Sequence, residues 1–245
     1  MSRTRRPPSS TGQRSRGSGR GKATAPAAAD RARALVFTPV SRETLERLDR
    51  FVALLLTWQR TTNLIAPSTV LNLWTRHIAD SLQLLSFVPD ARIWVDLGAG
   101  GGFPGLVIAC ALADRPGAHV YLVESNHKKA AFLREAQRLT AAPATVHATR
   151  SEEFVASFEG RADVVTARAL ASLKSLLDHC FPLLGKSGAV GLFPKGRHAG
   201  VELREARESA AKQGWTMTAA LMPSRIEPAG QIVVIRDVER RSTRP

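Results

Sequence analysis

A glycine-rich stretch near the middle of the chain could hold a nucleotide-type cofactor. The apolar segment Ile93-Trp94-Val95 predicts a buried strand, and Asp96 follows it directly. Pro104 suits the first turn of a following helix, because its missing N–H breaks no hydrogen bond there. Between strand and helix, the residues that let the backbone turn sharply and approach a ligand closely are Gly98, Gly100, Gly101 and Gly102. The stretch therefore predicts a strand, a cofactor loop and a helix.

Two kinds of cofactor fit this loop, and a charge argument favours one of them. The segment 100–105 satisfies the GxGxxG pattern of dinucleotide-binding folds, so a nicotinamide or flavin enzyme has to be considered. A dinucleotide brings a pyrophosphate anion to the loop, whereas S-adenosylmethionine brings an ammonium and a sulfonium. A carboxylate at the mouth of the loop, Asp96, would repel the first and attract the second. The charge of Asp96 thus favours S-adenosylmethionine.

Acidic and polar residues follow the next two predicted strands. Glu124 stands about 26 residues after Gly98, where a carboxylate accepts the hydroxyls of a cofactor ribose. Both rival cofactors contain that ribose, so Glu124 indicates a nucleoside without choosing between them. Ser151 and Glu152 follow the third strand, where they could contact adenine or cap the short helix predicted over Glu153–Phe158. The two roles are compatible, and the sequence leaves both open.

The residues after the fourth predicted strand bear on the type of reaction. Ala167-Arg168-Ala169 occupies the position where methyltransferases that act on exocyclic amines often carry Asn-Pro-Pro-Tyr. A target with its own lone pair, such as guanine N7, loses no proton before it attacks, so orientation and desolvation can suffice for catalysis. We therefore expect no general base. Arg168 and Lys195 are candidates for positioning the donor or the substrate, and a surface ion pair is the alternative role for Arg168.

Basic residues recur around the same predicted end of the sheet. Positive charge gathered around one cleft is what contacts to nucleic-acid phosphates require. The sequence has no aromatic motif of the kind that stacks single bases on a sheet. The predicted RNA contacts are Arg76, His77, Lys128, Lys129, Lys195 and Arg197.

The elements that must position these residues alternate between short strands and helices. Strands are predicted over Ile93–Leu97, Val120–Glu124, Thr145–Ala148, Asp163–Thr166, Ala189–Phe193, Thr216–Leu221 and Gln231–Arg236, with helices over Leu106–Ala113, Lys128–Thr140, Ser172–Leu184 and Val201–Gln213. Such alternation implies parallel crossovers and helices on both faces of the sheet. The last two strands are too close in sequence for a helical crossover, so they should pair antiparallel at one edge.

The predicted fold class is therefore α/β. It is a Rossmann-like, seven-stranded, mostly parallel sheet of the class I S-adenosylmethionine-dependent methyltransferase type, which ends in an antiparallel hairpin. Two helical patterns precede the first strand, and Ser41 is placed to cap the first of them.

Charge and composition divide the chain of 245 residues into three parts. The net charge is +14, and residues 1–34 carry nine Lys or Arg against the single acid Asp30. These residues include few large apolar side chains, so we predict a disordered basic tail over 1–34, with folded sequence starting near Val36. Residues 35–90 predict an N-terminal helical extension packed on the core, and residues 91–240 predict the methyltransferase domain. The positive charge favours a polyanionic partner.

The cysteines and apolar runs indicate the compartment. Cys110 and Cys180 lie in apolar runs without the spacing of a disulfide framework or a zinc site, so we expect a reducing compartment and no metal. No apolar run reaches the roughly 18 residues that a membrane-spanning helix needs. We expect a cytoplasmic protein with no membrane partner.

With these residues in view, the chain resembles the RsmG family, also called GidB, of bacterial guanine-N7 methyltransferases of 16S rRNA. The resemblance runs from about Leu54 to Ile235. Family members often have an apolar or small residue directly before the Lys-Gly pair, where this chain has Pro194. The segments that carry the resemblance are Asn63-Leu64-Ile65, Arg76–Leu82, Asp96–Gly105, Glu124-Ser125, Lys128-Lys129, Phe132-Leu133, Arg150–Glu153, Arg168-Ala169 and Lys195-Gly196.

The resemblance implies a reaction, a donor and a substrate. The donor is S-adenosylmethionine, the methylated atom is N7 of guanine 527 in 16S rRNA, and the partner is 16S rRNA or the small ribosomal subunit. We expect a monomer. Two other hypotheses stay open, a nicotinamide-dependent oxidoreductase and a non-enzymatic ribosome-binding protein that keeps the fold. The implied donor contacts are Gly98, Phe103, Ser151, Glu152 and Arg168, to which the reasoning from single residues adds Asp96, Gly100 and Glu124.

Overall fold

A seven-stranded sheet forms the centre of the computed structural model, which describes residues 25–241. The strands are β1 (Ile93–Leu97), β2 (His119–Val123), β3 (Ala144–His147), β4 (Val164–Thr166), β5 (Val190–Lys195), β6 (Trp215–Pro223) and β7 (Gln231–Arg240). Their order is β3-β2-β1-β4-β5-β7-β6. Strands β1 to β5 are parallel, and β7 runs antiparallel to both β5 and β6. The predicted mostly parallel sheet with a terminal antiparallel hairpin is confirmed.

Helices follow the strands on both faces of the sheet. Numbered in chain order after the three helices that precede the sheet, they are α4 (Gly105–Leu112), α5 (His127–Thr140), α6 (Ser151–Ser157), α7 (Leu173–Ser187) and α8 (Ala199–Lys212). The side chain of Asn126 caps α5 by accepting from the main-chain N–H groups of Lys128 and Lys129. Helix α6 begins at Ser151 itself and has no side-chain cap. The expectation that Ser151 or Glu152 caps this helix is therefore wrong, because both residues already lie inside its first turn.

Three helical segments precede the sheet. Helix α1 spans Ala25–Phe37, and α2 spans Arg42–Trp58 after its predicted cap, Ser41, which accepts from the Thr44 N–H at 3.1 Å. A short 3-10 turn over Pro67–Asn72 leads to the third segment. This segment starts as a π-helical turn over Trp74–Ala79, continues through α3 (Asp80–Leu82) and ends as a 3-10 turn over Gln83–Phe87.

Helix α1 corrects the predicted start of the folded chain. Residues 25–34 were expected to be disordered, yet they are helical, and Asp30 and Ala34 are buried. The Asp30 carboxylate accepts the Trp74 N–H at 2.8 Å and the Thr75 hydroxyl at 2.5 Å. It thereby caps the π-helical turn, which has no cap from its own segment. Amino-acid composition does not indicate this contact, because the contact is polar and joins residues that are far apart in the sequence. The rest of the predicted tail, residues 1–24, lies outside the described residues.

The helices before β1 share a hydrophobic core with one face of the sheet. The ring of Phe51 in α2 lies 5.4 Å from that of Phe103 and 6.2 Å from that of Phe132 in α5, measured between centroids. One continuous cluster of buried side chains includes all three rings. Helices α7 and α8 cover the other face, around Phe181 and Phe193. The division near residue 90 into an extension and a domain stays a prediction, because this core crosses it.

The sheet also determines where a ligand can bind. The chain order of the strands reverses between β1 and β4, and in an open α/β sheet ligands bind outside the carboxyl ends of the strands at such a point. The carboxyl end of β1 leads into the glycine loop, and that of β4 leads to Arg168. Among residues 25–241, no helix is both long and apolar enough to cross a membrane.

The contribution of the Asp30 hydrogen bonds to stability is testable by measuring unfolding. Replacing Asp30 by alanine should lower the free energy of unfolding by about 1–3 kcal/mol, because buried N–H and hydroxyl donors lose their acceptor. Asp49→Ala is the matched control, since Asp49 joins α2 to α1 through an exposed ion pair with Arg31. That change should cost at most about 1 kcal/mol. Urea unfolding curves measure both effects, and an equal loss in the two variants would contradict the anchoring role.

Candidate active site

The glycine loop is held in shape by main-chain hydrogen bonds. The N–H groups of Gly98 and Ala99 both donate to the Val123 carbonyl at 2.9 Å, which ties the loop to the end of β2. Gly98 and Gly100 have φ angles of 73° and 53°, in the left-handed region that favours glycine. A Cβ on Gly101 would lie 2.9 Å from the Leu64 carbonyl oxygen. The loop therefore turns sharply beneath a segment that comes from the N-terminal helical part.

Asp96 supports this loop from below instead of standing at its mouth. Its side chain is fully buried, and its Oδ2 atom accepts the Gly105 N–H at 2.8 Å. A Cβ on Gly105 would lie 2.5 Å from the same oxygen, so only glycine permits this contact. Burial, with a smaller contribution from the charge of Glu124, raises the pKa of the Asp96 carboxyl to about 7. The predicted charge contact between Asp96 and a cofactor is not what the structure provides.

Glu124 connects the loop to α5. Its Oε2 atom accepts the Gly100 N–H at 2.9 Å, and its Oε1 atom accepts the Asn126 N–H at 2.7 Å. Each carboxylate oxygen has two lone pairs, so one site on each oxygen is still available to a hydroxyl. The side chain faces the cavity described next, which suits the predicted contact with ribose.

A cavity of about 440 Å³ opens above the loop, and we call it the glycine-loop cavity. Small-molecule sites usually have volumes in this range. The predicted cofactor contacts that line this cavity are Gly98, Gly100, Phe103, Glu124, Ser151 and Arg168. Glu152 and Asp96 do not line it. Glu152 is exposed on α6, where its carboxylate lies 3.4 Å from Nε2 of His179.

His77 is a wall residue of this cavity and differs from its prediction as an RNA contact. Only 7% of the residue is exposed, and its ring centroid lies 4.8 Å from that of Phe103. Nε2 shares a hydrogen bond of 2.8 Å with the Thr69 hydroxyl, whereas Nδ1 is buried without a partner in the described part of the chain. Burial, together with the charges of Arg168 and Arg76, lowers its pKa to about 3. The ring is thus neutral at neutral pH, and its Nδ1 atom is enclosed by the protein.

Sequence reasoning missed the segment that covers the loop. Leu64, Ile65 and Ala66 line the glycine-loop cavity, together with Ser125 and Leu170. The Gln59 side chain holds the covering segment, because its amide oxygen accepts the N–H groups of Leu64 and Ile65 at 2.9 and 3.0 Å. Asn63-Leu64-Ile65 stood out only as a family motif. Its spacing carries no sign of contact with a loop more than 30 residues away.

Arg168 lies at the junction of two cavities. It lines the glycine-loop cavity and a second cavity of about 430 Å³, which we call the β5 cavity. One guanidinium nitrogen donates to the Arg76 carbonyl at 3.0 Å, and the other lies 3.5 Å from the Asp80 carboxylate. These two contacts fix the guanidinium at the junction, so the alternative of a simple surface ion pair does not describe it.

Lys195 lies in the β5 cavity wall and holds the loop after β4. Its Nζ atom donates to the Ala171 carbonyl at 2.8 Å and to the Glu202 carboxylate at 2.9 Å. Only 9% of its side chain is exposed. Lys195 therefore suits a positioning role and does not present a free charge to RNA.

The other predicted RNA contacts lie at the surface. Arg76, Lys128 and Arg197 are exposed, and Lys129 is half-buried against the glycine-loop cavity. The Arg76 guanidinium forms an ion pair with Glu227, a residue that sequence reasoning did not select. Within residues 25–241, no three His, Cys, Asp or Glu side chains cluster in a way that could hold a metal ion.

Comparison with known proteins identifies the family. A family model described as GidB, rRNA small subunit methyltransferase G, matches residues 44–225. The chain belongs to this family. It is 56% identical over 215 residues to ribosomal RNA small subunit methyltransferase G of Bradyrhizobium sp. (strain ORS 278), which covers 88% of this chain and 94% of that protein. The corresponding protein of Nitrobacter hamburgensis is 53% identical over 218 residues, covering 89% and 82%.

Solved structures share the fold at low identity. An O-methyltransferase from Bacillus cereus in complex with SAH has a TM-score of 0.54 and 17% identity, covering 86% of this chain and 97% of that one. A SAM-dependent O-methyltransferase from Thermotoga maritima has a TM-score of 0.51 and 14% identity, covering 78% and 72%. These similarities concern the fold alone, and they confirm the predicted methyltransferase fold class.

Family membership also decides between the two cofactors that the glycines permit. The charge of Asp96 cannot do so, because the carboxyl is buried and does not line the glycine-loop cavity. S-adenosylmethionine fits the residues present. The cavity offers a glycine main chain and the Glu124 carboxylate for hydroxyls.

Substitution of Gly98 tests the loop. A Cβ there would lie 2.6 Å from the Leu170 side chain at a φ of 73°, so Gly98→Ala strains the turn and displaces a cavity wall. We expect about a tenfold or greater loss of S-adenosylmethionine affinity by calorimetry, since left-handed strain costs about 1–2 kcal/mol. Gly214→Ala is the matched control, because Gly214 has a φ of 78° and no described atom within 4 Å of its Cβ position. Unchanged affinity in Gly98→Ala would contradict this assignment.

The buried Asp96 carboxyl predicts a pH-dependent stability. Above its ordinary value of 3.8 the unfolded chain ionises, whereas the folded chain keeps the proton until the pKa of about 7. Wild type should therefore lose stability relative to Asp96→Asn as pH rises from about 4 to about 7, and the difference should level off above that. Urea unfolding across this range measures it. Asp90→Asn, at an exposed position, is the control and should show a curve parallel to wild type; parallel curves for Asp96→Asn would contradict the burial argument.

Proposed function

We propose that the chain transfers the methyl group of S-adenosylmethionine to N7 of a guanine in 16S rRNA, the guanine numbered 527 in the family it resembles. The observation that carries this proposal is the junction at Arg168, where the glycine-loop cavity and the β5 cavity meet. A methyl donor in the first cavity and a base in the second could bring their reacting atoms together where the two cavities meet. Membership of the rRNA small subunit methyltransferase G family supports both the reaction and the class of substrate.

The donor contacts follow from the wall of the glycine-loop cavity. We assign the ribose hydroxyls to Glu124, the adenine edge to Ser151 and its N–H, and the close main-chain contacts to Gly98 and Gly100. The Phe103 ring packs beside the neutral ring of His77, and both residues line the cavity. When bound, S-adenosylmethionine supplies an electrophilic methyl group on its sulfonium. Asp96 acts indirectly, because its hydrogen bond to Gly105 maintains the loop.

The chemistry at N7 asks the protein to orient groups and exclude water. A guanine N7 lone pair can attack a methyl group directly, so no side chain has to remove a proton first. Arg168 is held by the Arg76 carbonyl and the Asp80 carboxylate, and the residue lines both cavities where they meet. Lys195 maintains the loop that carries Arg168, through its bond to the Ala171 carbonyl. Both residues therefore position the reactants.

The RNA contacts in this proposal are the exposed basic side chains near the two cavities. Arg76 lines the β5 cavity and Lys129 the glycine-loop cavity, and the exposed Lys128 and Arg197 adjoin the lining residues Lys129 and Gly196 in sequence. Cationic side chains around a cleft bind phosphates without reading sequence. His77 and Lys195 are left out of this set, because one is neutral and the other is committed to internal bonds. A cytoplasmic location, a monomeric state and a small ribosomal subunit as the substrate complete the proposal.

The proposal is tested with ribosomal particles from a strain that lacks the gene. Purified wild type should bind S-adenosylmethionine and not NAD in calorimetry, and should methylate a single guanine of 16S rRNA at N7. Borohydride and aniline cleavage at N7-methylguanosine, read by primer extension, locates the base. The Gly98→Ala protein serves as the matched negative control. Donor binding without methylation of any 16S rRNA guanine would refute the substrate, and absence of donor binding would refute the reaction.

A further inference from the structure

The β5 cavity is built as a compartment next to the donor site. The two cavities share Arg168, Ala169 and Leu170, which belong to the loop after β4. The β5 cavity also takes walls from β5, from the β6–β7 connection and from the N-terminal helical part. Its volume of about 430 Å³ lies within the range of small-molecule sites and is ample for one purine base. A ligand in it would lie next to the donor site, at the residues that the two cavities share.

The carboxylates that line the β5 cavity differ in how many hydrogen-bond or ion-pair partners they have. Asp80 accepts from the Gln83 amide at 2.7 Å and faces Arg168. Glu202 accepts the Leu173 N–H at 2.8 Å and the Lys195 ammonium at 2.9 Å. Glu227 has one ion-pair partner among the described residues, the exposed guanidinium of Arg76, and 32% of its own side chain is exposed. Glu227 is therefore the carboxylate that can exchange its partner for a ligand at the least cost.

The main chain around Glu227 is ordered by a turn. The Ser224 hydroxyl oxygen accepts the N–H groups of Ile226 and Glu227 at 3.1 and 3.0 Å. The Gln83 amide oxygen accepts the Arg225 N–H at 3.0 Å, which ties the turn to the N-terminal helical part. The Glu227 carbonyl in turn accepts the Gly230 N–H at 2.8 Å. The carboxylate is thus presented from a fixed backbone, as a recognition group needs to be.

Guanine has the complementary pattern of polar atoms. Its N7 and O6 accept hydrogen bonds on one edge, and its N1–H and 2-amino groups donate on the opposite side. With N7 directed at the S-adenosylmethionine site, O6 lies beside N7, and the N1–H and 2-amino groups point away from that site. Arg168, on the shared wall, is placed to donate to O6. Glu227, on a wall that belongs to the β5 cavity alone, is placed to accept from N1–H and the 2-amino group.

We propose that the β5 cavity is the acceptor-base pocket and that Glu227 is its specificity-determining residue, which reads the N1–H and 2-amino donors of guanine. This inference rests on the proposed function and names the side chain that selects the base. Adenine is rejected, because its unprotonated N1 would face the carboxylate. When guanine enters, Glu227 releases Arg76, whose guanidinium is then free to contact a phosphate of the same RNA.

The experiment compares guanine with inosine, which keeps N7, O6 and N1–H and lacks only the 2-amino group. Small subunits are reconstituted from 16S rRNA ligated around a synthetic segment with either base at the target position. Wild type should methylate the guanine substrate with a kcat/KM roughly 10- to 100-fold higher, because a hydrogen bond to a carboxylate is lost with inosine. In Glu227→Gln, kcat/KM for guanine should fall by a similar factor and the preference over inosine should largely disappear.

Two variants separate base recognition from structural effects. Arg76→Gln removes the same ion pair but keeps the carboxylate, so it should keep the preference for guanine. Glu208→Gln makes the same charge change on the exposed face of α8 and should behave as wild type. Donor affinity, measured by calorimetry, should be unchanged in Glu227→Gln, because Glu227 does not line the glycine-loop cavity.

The outcomes distinguish this inference from the proposed function. If wild type methylates guanine but Glu227→Gln keeps the full preference over inosine, the pocket assignment is overturned and the proposed function stands. Loss of the preference in Arg76→Gln as well would also overturn it, since the ion pair and not the carboxylate would then be the cause. If wild type binds the donor but methylates neither substrate, the proposed function fails and the pocket assignment fails with it.

Discussion

Two carboxylates that accept main-chain N–H groups determine the shape of the loop after β1, and the rest of the site depends on that loop. Asp96 accepts from Gly105 beneath the loop, and Glu124 accepts from Gly100 beside it. Each contact replaces the water that a free N–H would bind, so the loop keeps its form without a ligand. The loop can then offer its glycine main chain to a cofactor, with little ordering left for binding to supply.

The second organising feature is the loop after β4, because its residues line both cavities. Arg168 is bound on one side to the N-terminal helical part, through the Arg76 carbonyl and Asp80. Lys195 binds the same loop from the other side, through the Ala171 carbonyl. Because these contacts hold the loop after β4 from opposite sides, they restrict its movement. Arg168 and Lys195 are therefore held by internal contacts, whereas Lys128 and Arg197 are exposed.

The helices before the sheet are part of the site and not an appendage to it. Gln59 holds the segment that covers the glycine loop, and Phe51 packs against Phe103 at the start of α4. Asp30 caps the turn that carries Arg76 and His77. The N-terminal part therefore contributes walls to both cavities. Its mostly apolar packing also stabilises the glycine loop.

The sequence by itself determined the sheet and its crossovers, and it placed the carboxyl ends of the five parallel strands to within two residues, whereas β7 continues four residues beyond its predicted end. Alternating apolar runs and helical patterns are local signals, and a glycine run after a strand has few other structural uses. The positions of Glu124, Ser151 and Arg168 followed from these strand ends, since parallel strands deliver the residues that follow them to one end of the sheet. The family motifs then supplied the reaction, which no pattern of spacing contains.

Only the tertiary structure decided which polar groups are free to act. Asp96, His77 and Lys195 are of residue types that often contact ligands. Burial and internal hydrogen bonds instead make Asp96 a support of the glycine loop, His77 a neutral residue of the cavity wall, and Lys195 a residue that positions the loop after β4. Asp30, Gln59 and Glu227 carry no local signal, because their partners lie far away in the chain. The charge and availability of a side chain depend on its desolvation and its partners, and both arise from distant contacts that a sequence pattern does not encode.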